Sequence, residues 1–417
     1  MQILITIILI KYKASHLDRS KWFNVHSWVG VQLSILLCFV LITGTLATVS
    51  HEIDWATNNA MRVAPSSVTN MNWQAVYVSA TQQSQTQHFI GIRRPTEDWF
   101  AAEVIAYDAN KQRYRMFFHP TTGEYLGEGR WYNWHVFFRM THRHLMLPVK
   151  YGVPIISICA FLLLTSLITS FVVYRHWWKG FFRWPRKQHR KLFWSDIHRL
   201  LGTWSIWFIL VISLTGIWYL LEVLGVRASY PDRGQVVSQQ AKDNRVMPSP
   251  EVFLRAMKTV GIEFPDLDIK TVRFPSRKND PIIVQGQSSA ILVRDRANLI
   301  SFDPVSGEFL TKFRGEQLNT VARITEAVDP LHFGTFAGLP SRLLYFVFGV
   351  LLSTLAVSGT YMFAMKTSRI SYRQAFSKRK VWKSALSKMG FGKWLSYISI
   401  AVSLSIALGL FTGFITQ

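Results

Sequence analysis

The chain has 417 residues, 49% of them hydrophobic, a positive mean hydropathy and a formal net charge of +23. Its apolar residues are gathered into long blocks, which excludes an ordinary soluble protein. Its basic residues lie in short runs between the blocks, which membrane topology explains without a nucleic-acid partner. Cys38 and Cys159 both fall inside apolar blocks, so no disulfide framework is expected.

In chain order, the apolar opening Met1–Ile10 precedes its basic residues, Lys11 and Lys13, the reverse of a signal peptide, and is too short to cross a bilayer. It reads as an interfacial stub or an artefact of start-codon choice, and residues 1–50 form an N-terminal segment and a first span, uncharged from Val31 to Ser50. Residues 51–150 alternate apolar and polar positions, as in His88-Phe89-Ile90-Gly91-Ile92, and predict a small α+β domain. A second span follows at 151–174, then a loop at 175–199 with eight Lys or Arg against Asp196 alone. The third span covers 200–221. A second α+β domain, with Ile282-Ile283-Val284-Gln285 in a strand, covers 222–342. The fourth span is 343–365, the loop 366–393 carries nine Lys or Arg and no acid, and a fifth span runs over 394–417. Under the positive-inside rule both basic loops and the N-terminus are cytoplasmic, and both long connections lie outside, in the periplasm of a diderm bacterium. The expected fold is an α-helical transmembrane bundle of four or five helices built from two repeats, with two small α+β periplasmic domains.

The repeat is visible residue by residue. Trp22, His26, Gly30 and Thr43-Gly44 recur at the same spacing as Trp194, His198, Gly202 and Thr215-Gly216. FHPTTGEYL from Phe118 recurs as FDPVSGEFL from Phe302, a sequence suited to a tight hairpin turn with glycine at positive φ. A histidine then precedes each returning span: His142 lies 27 residues before Thr169, and His332 lies 26 before Ser358.

These motifs, with HEID at His51–Asp54 and RKLFWSDIHRLLG at Arg190–Gly202, resemble the PepSY-associated transmembrane proteins over about Trp22 to Arg369. That family's half-repeat runs His-x-x-x-Gly, span, Thr-Gly, a PepSY domain with a Thr-Gly turn, and a histidine before the returning span. Thr169-Ser170 departs from it where Thr-Gly is usual. The resemblance implies an inner-membrane protein of iron acquisition, of a type that includes haem-containing reductases acting on ferric siderophores at the periplasmic face.

The histidines support that expectation on chemical grounds. Ionisable residues at membrane spans are functional candidates, and imidazole is an axial ligand of haem iron. His26 and His198 begin their spans at one face, His142 and His332 at the other, so two b-type haems at two depths are expected. For the outer one, His144, His51 and His135 are weaker candidates. Gly30 and Gly202, one turn beyond their histidines, leave room for a macrocycle or for close helix packing. The chain carries no nucleotide or flavin fingerprint, so electrons are expected from a cytoplasmic donor protein or a membrane quinol, with the lipid bilayer and a ferric siderophore as the other partners and no nucleic acid. Catalytic residues beyond the ligands are not identified. The competing readings are a siderophore or iron transporter, and a non-redox PepSY regulatory or inhibitory membrane protein.

Overall fold

The computed structural model describes residues 19–65, 71–86, 88–187, 190–367 and 378–412. The expected stub at 1–10, His189, residues 368–377 of the second basic loop and the last residues of the fifth span lie outside the described residues. The chain divides into two compact units. A membrane unit draws on residues up to Ala47, on Phe138–Gly225 and on Leu344–Gly409; a sheet unit draws on Thr48–Phe137, on Val226–Leu343 and on residues from Leu410 onward.

The membrane unit contains α1 (Arg19–Gln32), α2 (Ser34–Thr48), α6 (Val149–Val173), α7 (Arg190–Trp204), α8 (Ile206–Val223), α13 (Lys378–Lys388), α14 (Phe391–Thr412) and most of α12 (Gly338–Thr367). Among the described residues, α6, α8, α12 and α14 are long and apolar enough to cross a bilayer, and α1 with α2, bent by 66°, passes the same test as a pair, as a broken span or a re-entrant loop. This is a multi-pass helical membrane protein. Its core joins Leu36 and Val40 of α2, Leu163 of α6, Phe208 of α8 and Leu352 of α12.

The expected straight first and third spans are each broken, at Leu33 and at Ser205, seven residues after His26 and His198 respectively. A straight helix rising about 1.5 Å per residue would carry Thr43 most of a hydrocarbon thickness away from His26. The bend shortens that rise. Neither proline nor glycine stands at Leu33; instead the Gln32 carbonyl faces Gly392 of α14, where any side chain would collide with it. In the first basic loop the lone acid, Asp196, is buried and organises the chain around it. Its carboxylate accepts from the Arg186 backbone N–H at 3.2 Å and side chain at 2.8 Å, and it also pairs with Arg199.

The sheet unit contains α3 (Ser50–Thr57), α4 (Trp73–Gln83), β1 (Phe89–Arg93), β2 (Ala102–Tyr107), β3 (Arg113–Phe118), β4 (Tyr125–Arg130) and the start of α5 (Trp134–His144). From the second half it takes α9 (Gln239–Asp243), α10 (Pro250–Glu263), β5 (Asp268–Arg273), β6 (Ile282–Gln287), β7 (Asn298–Phe302), β8 (Phe309–Phe313) and α11 (Thr320–Phe333). The two expected α+β segments join edge to edge into one antiparallel sheet of order β4-β3-β2-β1-β5-β6-β7-β8. At the join Ile92 stands opposite Val272, flanked by Gly91 opposite Arg273 and Arg93 opposite Thr271. A single apolar core spans it: Tyr77 of α4 stacks on Phe253 of α10 at 4.2 Å, and its hydroxyl donates to the Pro248 carbonyl at 2.5 Å. Asn72 and Ser249 cap these two helices by accepting from Ala75 N–H and Val252 N–H. The repeated turns adopt the same conformation, with Gly123 at φ 74° and Gly307 at φ 71°, each donating its N–H to His119 or Asp303 four residues earlier.

Gly91 tests the join. A Cβ there would lie 2.6 Å from the Val272 carbonyl oxygen. Gly91→Ala is therefore expected to cost about 1–3 kcal/mol through backbone displacement. In thermal unfolding of the detergent-solubilised protein it should lower the midpoint, whereas Gly261→Ala, in the interior of α10 with nothing within 4 Å of the added carbon, should not.

Candidate functional site

The helices of the membrane unit bring His26 and His198 face to edge, with ring centres 6.4 Å apart and planes at 78°. Each ring is fixed by a hydroxyl from the returning span of its own half. His26 Nδ1 lies 3.0 Å from Thr169 Oγ1, and His198 Nδ1 lies 3.1 Å from both Ser358 Oγ and the Leu355 carbonyl. Both hydroxyls already donate to carbonyls one turn back, Thr169 to Thr165 at 2.8 Å and Ser358 to Leu355 at 2.9 Å. Their oxygens are left to accept, so each imidazole donates from Nδ1–H and keeps the Nε2 lone pair. Fixing a histidine tautomer through the other ring nitrogen is the usual support for a metal-binding imidazole.

Two metal–nitrogen bonds of about 2 Å, plus about 1 Å from each nitrogen to its ring centre, amount to roughly 6 Å. The observed ring-centre separation of 6.4 Å matches that sum in length. Space beside them is open: a Cβ on Gly30 would meet nothing within 4 Å, and one on Gly202 only Leu355 at 3.6 Å. Gly359, by contrast, is where the His198 ring rests, an added Cβ lying 3.0 Å from its Cε1. Among the described residues no group of three or more His, Cys, Asp or Glu converges to hold a bare ion.

His142, on α5, lies against α2. Its Nδ1 is 2.8 Å from the Val40 carbonyl, and its ring fills the space over Gly44, where a Cβ would come within 2.5 Å of Cε1. Thr43 donates to the same Val40 carbonyl at 3.1 Å. The Thr43-Gly44 pair therefore serves one histidine, the glycine by admitting the ring and the threonine by sharing its acceptor. His144 is buried and its Nδ1 has no hydrogen-bond partner.

His332 belongs to the sheet unit, in the last turn of α11 ahead of Gly334 at φ 67°. The same unit holds His51 and His135, stacked with ring centres 4.0 Å apart and planes at 24°. Ligating nitrogens lie in the ring plane, so a face-to-face stack this close has no room for an ion between its members. Ser50 Oγ meets His135 Nδ1 at 2.9 Å, and Asp54 caps α5 by accepting from the N–H groups of Trp134 and His135 at 2.8 and 3.1 Å. Burial raises the Asp54 carboxyl to about 6, against those two hydrogen bonds and Arg115. Burial drives His51 down to about 4, with Glu103 opposing and Arg342, Arg93 and Arg115 assisting. Arg342, itself buried, bridges Glu52 at 2.6 Å and Glu97 at 2.7 Å. Elsewhere in this unit α4 and the Thr122–Glu124 turn border a polar depression of about 540 Å³.

His26 and His198 are thus held in equivalent ways in the two halves, and one family model spans both halves: the PepSY-associated TM region matches residues 23–366. The chain belongs to this family. No curated protein matches it. Within the PepSY-associated frame, the departure at Thr169-Ser170 leaves the His26 support intact, because it is the Thr169 hydroxyl that the imidazole meets. Sequence reasoning used Thr169 and Ser358 only as landmarks for spacing. Their hydroxyls, in the C-terminal part of each half's returning helix, were the available signal of a partner for histidine.

A free histidine takes up its proton near pH 6.5, whereas folded His51 resists until about pH 4. Its contribution is fully present above pH 6.5 and is lost as pH falls through that window. The midpoint difference between His51→Phe and wild type, followed from pH 7 to pH 4, should therefore move in favour of the variant on acidification. A difference that stays flat would assign the acid sensitivity elsewhere.

Proposed function

We propose that the protein is a di-haem b-type oxidoreductase of the bacterial inner membrane that passes electrons outward to ferric siderophore iron in the periplasm. The observation that carries this reading is the facing pair His26 and His198, held in matching tautomers 6.4 Å apart beside two glycines that leave the flank open. A haem would supply a one-electron couple, and His26 and His198 would be the residues that hold it. A pair of imidazoles without a third ligand suits that group and not the three or four protein ligands of a bare ion.

His26 and His198 would hold the inner group, with Thr169 and Ser358 fixing ring orientation. The outer one would rest on His142; His332 belongs to the other unit and stays the expectation of the sequence repeat alone. His142 has the supporting geometry of a ligand, with Nδ1 on the Val40 carbonyl, while the stack of His51 on His135 makes those two the weaker candidates. The short basic loops at 175–199 and 366–393 support a cytoplasmic placement and so an outward direction of transfer.

The purified protein should show a dithionite-reducible, low-spin b-type absorption band. His26→Ala or His198→Ala should convert or remove one haem, about half the pyridine haemochrome content, and leave the other spectrum intact. His142→Ala should do the converse. No haem band in the folded wild type would end the proposal. Loss of the outer spectrum from His144→Ala but not from His142→Ala would reassign the outer ligand.

A further inference from the structure

One cavity of the membrane unit has a use that the histidine pairs do not explain. It encloses about 310 Å³ and is lined by Arg190 and Trp194 of α7, by Val357, Ser358 and Tyr361 of α12, and by Trp382 of α13. Three aromatic rings wall it: Trp194 meets Tyr361 at 5.6 Å and 71°, and Tyr361 meets Trp382 at 6.0 Å and 42°. Its lining is mainly apolar, and Arg190, Ser358 and Tyr361 are the lining residues that carry polar side-chain groups besides the two indoles. Val357, on the flank of the membrane-spanning α12, and Trp382, within α13, are 43% and 41% exposed, so the cavity opens beside a membrane-spanning helix.

The cavity also adjoins His198. Ser358 lines it and is the hydroxyl that meets His198 Nδ1 at 3.1 Å, while Trp194 lies one helical turn before His198 on α7. An occupant is therefore separated from the imidazole by single side chains.

We propose that this cavity binds the ring of a lipophilic quinol, which is the electron donor; the inference rests on the redox reading above. A quinol is a flat ring bearing two opposed hydroxyls and an isoprenoid tail. Aromatic side chains receive the ring, Arg190 and the hydroxyl-bearing residues receive the oxygens, and the opening beside α12 receives the tail. A nicotinamide or flavin nucleotide carries phosphates that one arginine among apolar walls does not serve. An anionic lipid head group would use Arg190 and leave three aromatic faces without a role. Oxidation of one quinol to quinone breaks two O–H bonds and releases two electrons and two protons. The electrons reduce two ferric ions to ferrous, one each, and the protons leave to water at the Arg190 end.

The test uses the full-length protein in detergent with two probes, decylubiquinone and a short-chain naphthoquinone, and reads binding separately from turnover. Quenching of tryptophan fluorescence by at least one probe should saturate. Tyr361→Leu and Arg190→Gln should each weaken binding by roughly tenfold, the scale of one lost aromatic or charged contact, in protein that still elutes as a single species. A photoreactive azidoquinone should label peptides containing Trp194, Tyr361 or Trp382. Binding that does not saturate, labelling confined to other spans, or displacement by phosphatidylglycerol as effective as by quinone would overturn the site. Saturable binding at these residues in a preparation with no haem band would uphold the site and remove the redox reading on which its role as donor site depends.

Discussion

Two hydrogen bonds between imidazole and hydroxyl, His26 with Thr169 and His198 with Ser358, tie the first helix of each half to the last helix of the same half. In a bilayer, helices gain little from burying apolar surface against one another, and specific polar contacts and close packing set their arrangement instead. These two bonds do so at the position where the halves meet. They orient rings that would otherwise rotate freely, and they do it from spans roughly 140 to 160 residues distant in sequence, the separations being 143 and 160. The bend after α1, the room left at Gly30 and the cavity against Ser358 all take their meaning from where those rings point.

Hydropathy alone located the spans, because a run of uncharged residues long enough to cross a bilayer has few alternatives. The bend at Leu33 escaped it. No proline or glycine marks that position, and the neighbour that meets it is distant in sequence: the Gln32 carbonyl lies against Gly392 in a helix outside the duplication. The same limit applied to Gly44 and Gly359. Their recurrence after threonine or serine was readable, but whether each admits a ring or a neighbouring helix depends on what packs there. Gly44 admits His142, whereas Gly216, its repeat counterpart, stands against Ala160, where a Cβ would lie 2.9 Å from the alanine methyl. Duplication preserved the residue and changed its neighbour.

Within the candidate site the histidines were legible from repetition and their supports were not. His26 and His198 stood out because a histidine at matching places in two membrane spans is costly to keep without use. His51 and His135 were separately visible, yet nothing in their spacing indicated that the rings would stack. The contact is made by folding α3 back on the start of α5, with Asp54 as the cap that fixes the approach.

The join at the centre of the sheet has a consequence for the chain as a whole. The same offset that pairs Ile92 with Val272 sets Gly91 against Arg273 and Arg93 against Thr271, so equivalent strands meet about a local two-fold axis. This is the geometry of an isologous dimer contact contained in one polypeptide. In a dimer of separate halves such a contact would form only at sufficient expression level; here the tether supplies a fixed effective concentration. Each half is also the other's protection, since β1 or β5 alone would present an unpaired edge to any passing strand. The two halves can therefore diverge at their histidines and glycines, as Gly44 and Gly216 have done, while remaining inseparable as folding partners.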